Sequence, residues 1–131
     1  MNLLLSREQQ LLGKWEPVDL VIDGVNMFDD FKSDPAFFDY LIFYPQKDTN
    51  LTIHYLRQLP ATGKWEMTPS LTIYPYLQGI PPKNYGKFFP YASWVIQKIN
   101  NNKLILKVED KNSQNVGITY VFALKKIRKF E

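Results

Sequence analysis

"LLGKWEPVDLVIDG", residues 11–24, sets the fold. Gly13 ends a short polar-apolar segment, Trp15 opens an extended run, and Val18, Leu20 and Ile22 recur at the period of two expected of a strand. Asp23-Gly24 then supplies the positive backbone angles of a tight turn. Upstream, "SREQQLL" at 6–12 is the one helical candidate: Ser6 suits an N-cap, Glu8 favours the positive end of the dipole, and Gly13 stops the segment. The stretch thus predicts a helix of two turns at most, folding back into a strand.

Beyond it the chain reads as short extended runs broken by turn residues, the pattern of a sandwich or barrel. After an irregular piece, "VNMFDDFKSDPAF", come candidates at 38–44, 51–59, 63–68, 70–77 and 91–99. The fifth of these is reached through a Pro/Gly-rich connection at 78–90. The last two candidates, 103–109 and 116–125, flank "DKNSQN" and alternate most cleanly. Leu104, Leu106 and Val108 share one face, and Val116, Ile118, Tyr120, Phe122 and Leu124 another. Eight sequential candidates, mostly joined by short turns, predict an all-β chain: an eight-stranded antiparallel up-and-down β-barrel, closed so that no edge is exposed.

Composition agrees. A length of 131 residues suits one domain over 1–131 that buries roughly two-thirds of its unfolded surface. Aromatic residues make up 15%, a surplus suited to pleated, half-buried surfaces or to the walls of a ligand cavity. The net charge of +3 is concentrated in "KKIRKFE" at the C-terminus, which argues against a nucleic-acid-binding face. The absence of cysteine excludes disulfides, thiolate metal sites and cysteine nucleophiles. "MNLLLSREQQ" lacks the basic and apolar regions of a signal peptide, so cytoplasmic residence is expected if residue 1 is the native start. No run approaches the ~20 apolar residues of a membrane helix.

Gly-Lys-Trp-Glu recurs at 63–66, but the sequences that follow the two copies diverge at once, which argues against a duplicated unit. Trp15 is expected to plug one end of the core, with Gly13 permitting the chain reversal. Arg128 is a candidate to stack across the Trp15 ring; a solvated tail charge is the alternative. Trp65 and Trp94 are the expected wall contacts for a ligand, with Tyr55, Tyr74, His54 and Arg57 as groups to orient it. His54 is the one histidine, and no nucleophile and orienting acid accompany it in any motif, so catalysis is not expected. Asp29, Asp30, Asp34 and Asp39 are acidic, but their spacing lacks the order and the central glycine of a calcium loop. Neither a metal nor a cofactor is implied.

The pattern resembles the lipocalin/calycin superfamily: a short helical turn, Gly-x-Trp opening the first strand, and eight sequential strands ending in a basic residue. "LLGKW" matches the first feature and Arg128 in "KKIRKF" the second by position. "ATGKWEMTPSLTIYP" and "ITYVFALKKI" are similar to features of bacterial lipocalin-like domains. The Thr-Asp-Tyr loop signature and the cysteines of animal members are missing. The resemblance implies non-catalytic binding of a small hydrophobic or amphipathic molecule, export to the periplasm or cell surface, and membrane association only through an anchor removed from the N-terminus. A second reading stays open: an interaction or structural module whose barrel core is filled.

Overall fold

A computed structural model describes residues 7–35, 37–44, 50–57, 59–78, 93–111 and 114–128. Among the described residues one sheet contains nine strands: β1 (Gly13–Ile22), β2 (Val25–Asn26), β3 (Phe38–Phe43), β4 (Asn50–Tyr55), β5 (Ala61–Met67), β6 (Thr72–Gln78), β7 (Trp94–Ile99), β8 (Lys103–Lys111) and β9 (Gly117–Arg128). Two short helices accompany them, α1 (Arg7–Leu11) and α2 (Phe28–Lys32). All pairings are antiparallel, and β1 bonds to both β3 and β9. That double pairing closes eight strands into an up-and-down barrel; β2 is a two-residue strand hairpinned onto the end of β1.

Closure is strongest where β1, β8 and β9 meet, because β9 pairs with β8 from Gly117 to Lys125 and with β1 from Tyr120 to Arg128. Among the described residues, the β6–β7 seam has two registered pairs, Thr72↔Val95 and Ile73↔Trp94. The 78–90 connection, the residues expected to begin a strand at 91, and the Ser6 cap lie largely or wholly outside the described residues.

Turn chemistry matches the sequence. Asp23 and Gly24 both take positive φ, 49° and 84°, so the β1–β2 turn has the twist that fits a hairpin. The Asp23 carboxylate and backbone N–H then tie this turn to Thr119 on β9, each at 2.9 Å. Asn100 organises the β7–β8 turn, its side-chain oxygen accepting the N–H groups of Asn102 and Lys103. Thr68 to Leu71 forms the β5–β6 turn.

Four expectations are corrected. Val18 does not share the inward face of Leu20; it is exposed. The β1–β9 register slips between Pro17 and Asp19, so odd-numbered residues point inward before the bulge and even-numbered ones after it. Proline has no N–H to give to the ladder, and a bulge is where a strand tolerates it. Leu59, expected to alternate with Leu51, Ile53 and Tyr55 in the 51–59 run, lies exposed in the turn after β4, which ends at Tyr55; Val116 is likewise exposed, just ahead of β9. The piece taken as irregular contains β2 and α2. In α2, Asp29 and Asp30 occupy the first turn and Lys32 the last, which complements the helix dipole.

Candidate functional site

Inward positions of the barrel strands form one continuous apolar core, to which α1 adds Leu11 and α2 adds Phe31. Among the described residues no polar or charged residue is buried. The interior therefore offers dispersion contacts and hydrophobic burial but almost no directed polarity.

Two fully buried aromatic side chains lie beside the helices, Trp15 at the start of β1 and Phe31 within α2. The Trp15 indole N–H donates to the Leu11 carbonyl at 2.8 Å. That carbonyl belongs to the last turn of α1 and would otherwise lack an intrahelical partner. Gly13, between them at φ 136°, occupies a conformation that side chains rarely adopt, and so lets the helix fold back over the barrel. Phe31 is in edge contact with Phe37, Phe38 and Phe122 at 5.0, 5.5 and 5.9 Å between centroids.

Among the described side chains, Lys126 lies over Trp15, 4.8 Å from the ring centroid. Its ammonium also donates to the Gln10 carbonyl at 2.7 Å, pinning the end of α1. Lys126 stands opposite Trp15 in the β1–β9 register, whereas Arg128 stands opposite Lys14. The side chain of Arg128 lies outside the described set. Lys126 was legible in principle: it continues the inward row of Tyr120, Phe122 and Leu124 by one further step of two.

The six residues expected to contact a ligand divide by face. Trp65, Trp94 and Tyr55 point inward and are buried. Trp65 and Trp94 both meet Phe43 edge to face, with centroids 5.4 and 6.5 Å apart. Tyr74 faces out, 41% exposed, because its neighbour Ile73 takes the inward position on β6. Arg57 is exposed in the turn after β4, where its guanidinium reaches the Asp34 carbonyl at 3.4 Å.

His54 also lies on the outer wall, opposite Tyr40 on β3. Its Nδ1 lies 2.6 Å from an Asp39 carboxylate oxygen, and its ring stacks on Tyr40 at 4.4 Å and 5°. Lys14 covers the Tyr40 ring at 3.9 Å. This cluster is half-buried and holds three outer strands together; it does not reach the interior. Asp29 pairs with Lys32 at 3.3 Å, and among the described residues no group of carboxylates or histidine is placed to hold a metal.

Phe31 and Phe43 were missed as site residues. Met27, Phe28 and Phe31 carried the helical signal for Phe31 through their spacing of three and four. Nothing local distinguished Phe43 from its apolar neighbours.

No family model and no curated protein matches the chain. Solved structures do. Bovine odorant-binding protein in complex with a selenium-containing odorant superposes with a TM-score of 0.53 at 10% identity, over 100% of this chain and 78% of that one. The same bovine protein with its natural ligand gives 0.54 at 9% identity, over 100% and 79%. Its complex with undecanal gives 0.53 at 9%, again over 100% and 79%. At such identity the likeness establishes the fold, a lipocalin-like barrel.

Proposed function

We propose that this chain binds a small hydrophobic or amphipathic molecule inside its barrel and carries out no chemistry on it. The observation that carries the reading is the interior itself, lined among the described residues by apolar and aromatic side chains, with Trp15 and Phe31 fully buried in it. An enclosed, aromatic-rich interior with few polar groups is what small-molecule sites generally present. The shared barrel supports it further, since the bovine proteins of that fold hold an odorant, undecanal or a natural ligand. The motifs "LLGKW" and "ATGKWEM" favour a place among bacterial lipocalin-like domains.

The second reading is an interaction module with a filled core. It draws on Leu56 and Leu59, exposed apolar side chains between β4 and β5. Titration with N-phenyl-1-naphthylamine, a neutral apolar fluorophore, separates the two. Saturable enhancement with one site per chain, accompanied by quenching of tryptophan emission, is expected of the binding barrel. Folded protein that gives no saturable signal, while self-associating or capturing a partner through the β4–β5 turn, would overturn it.

A further inference from the structure

The chain has three tryptophans, and their indole N–H groups differ in one respect. Trp15 donates to Leu11 at 2.8 Å. The N–H groups of Trp65 and Trp94 are buried and, among the described residues, have no hydrogen-bond partner. Trp65 is 1% exposed and Trp94 4%, so neither donor reaches bulk water. A buried donor without an acceptor forfeits its hydration for nothing in return, and a buried indole usually finds a partner for that reason. Phe43 lies edge to face with both rings, and the π-face of an aromatic ring returns far less than a carbonyl oxygen would.

Two such donors around one phenylalanine, inside a barrel whose other buried side chains are apolar or tyrosine among the described residues, mark a polar end for the cargo. Resting on the binding role proposed above, we infer that the ligand carries a neutral hydrogen-bond acceptor, a carbonyl, ester or ether oxygen. That oxygen sits beside Phe43 and accepts from Trp65 and Trp94, while the apolar remainder lies along the rest of the barrel. Neutrality follows from the lining: among the described residues no buried cation is present to offset the desolvation of a carboxylate. The two copies of Gly-Lys-Trp-Glu thereby divide in role. The Trp15 donor is consumed by the Leu11 carbonyl, and the Trp65 donor is kept for the cargo.

The test uses 2-octanone and its isostere 2-methyl-1-octene, in which a methylene replaces the carbonyl oxygen, on uniformly 15N-labelled protein. The ketone should move the indole N–H cross-peak of Trp65, Trp94 or both downfield and leave Trp15 in place; the alkene should move none of them in that direction. In Trp65→Phe and Trp94→Phe, affinity for the ketone should fall about threefold to tenfold relative to the alkene, the net value of one buried hydrogen bond. Spectra of the unaltered chain keep the test valid if either variant folds poorly.

If both probes bind, the ketone moves no indole and the ratio stays unchanged, the acceptor inference is overturned while the binding barrel stands. Binding of neither probe by folded protein overturns both. Octanoate binding more tightly than 2-octanone at pH 8 would overturn the neutral character of the acceptor.

Discussion

Replacing Trp15 by Phe should cost more stability than the same replacement at Trp65, although both side chains are almost completely buried. The two substitutions delete the same atoms from similarly enclosed sites, so the transfer and cavity contributions cancel to first order. What remains is the indole N–H. At Trp15 its loss strands the Leu11 carbonyl, which accepts that bond at 2.8 Å in a buried setting, a penalty of about 1–3 kcal/mol. The ring beneath Lys126 also becomes a weaker cation partner, worth a few tenths of a kcal/mol. At Trp65 the deleted N–H has no acceptor among the described residues, so its removal relieves a desolvated donor by up to about 1 kcal/mol. The expected difference is about 2–3 kcal/mol, or roughly 8–12 °C in melting temperature for a domain of this size. Urea unfolding should be followed by far-ultraviolet circular dichroism, because tryptophan emission changes with the substitution itself. Equal destabilisation within about 0.5 kcal/mol, or a greater cost at Trp65, would refute the assignment of one tryptophan to an internal hydrogen bond and the other to cargo.

Phe31→Ala should lower stability by about 3–4 kcal/mol, because it empties the centre of its aromatic cluster; a loss below about 1 kcal/mol in thermal melts would contradict that role. Lys126→Met keeps the aliphatic stem but removes the ammonium that reaches Gln10 and Trp15. A cost of about 1–2 kcal/mol, read from urea midpoints, is expected, and no change would point to a solvated side chain. A double-mutant cycle on Asp39→Ala and His54→Ala should give a coupling below about 1 kcal/mol, since both groups are more than a third exposed. Neither variant should shift N-phenyl-1-naphthylamine affinity by more than about twofold. A larger loss would place His54 in the ligand site after all.

Much of the barrel was written locally. Alternation at 103–109 and 116–125 identified strands and, except at the exposed Val116, their inward rows, because a strand with one buried face repeats at two wherever it lies. Asp23-Gly24 and the asparagines at 100–102 marked turns through backbone chemistry that needs no distant partner. The short helix before Gly13 and the burial of Trp15, Trp65 and Trp94 were legible on the same grounds.

What tertiary structure alone decided was phase, closure and pairing across the chain. The bulge at Pro17–Asp19 turned Val18 outward because β9 had to stay bonded on both sides of a residue without an N–H. Lys126 came to lie over Trp15 because the β1–β9 register set it there, more than a hundred residues along the chain. Tyr74, His54 and Arg57 fell outside the interior, the first two because their strand neighbours Ile73 and Ile53 claimed the inward face. The sharpest division concerns the tryptophans: their sequence contexts, Gly-Lys-Trp-Glu twice, are identical. A helix turn precedes the first copy, so the Leu11 carbonyl four residues upstream meets the Trp15 indole; the second copy lies inside β5, where among the described residues no acceptor meets the Trp65 indole.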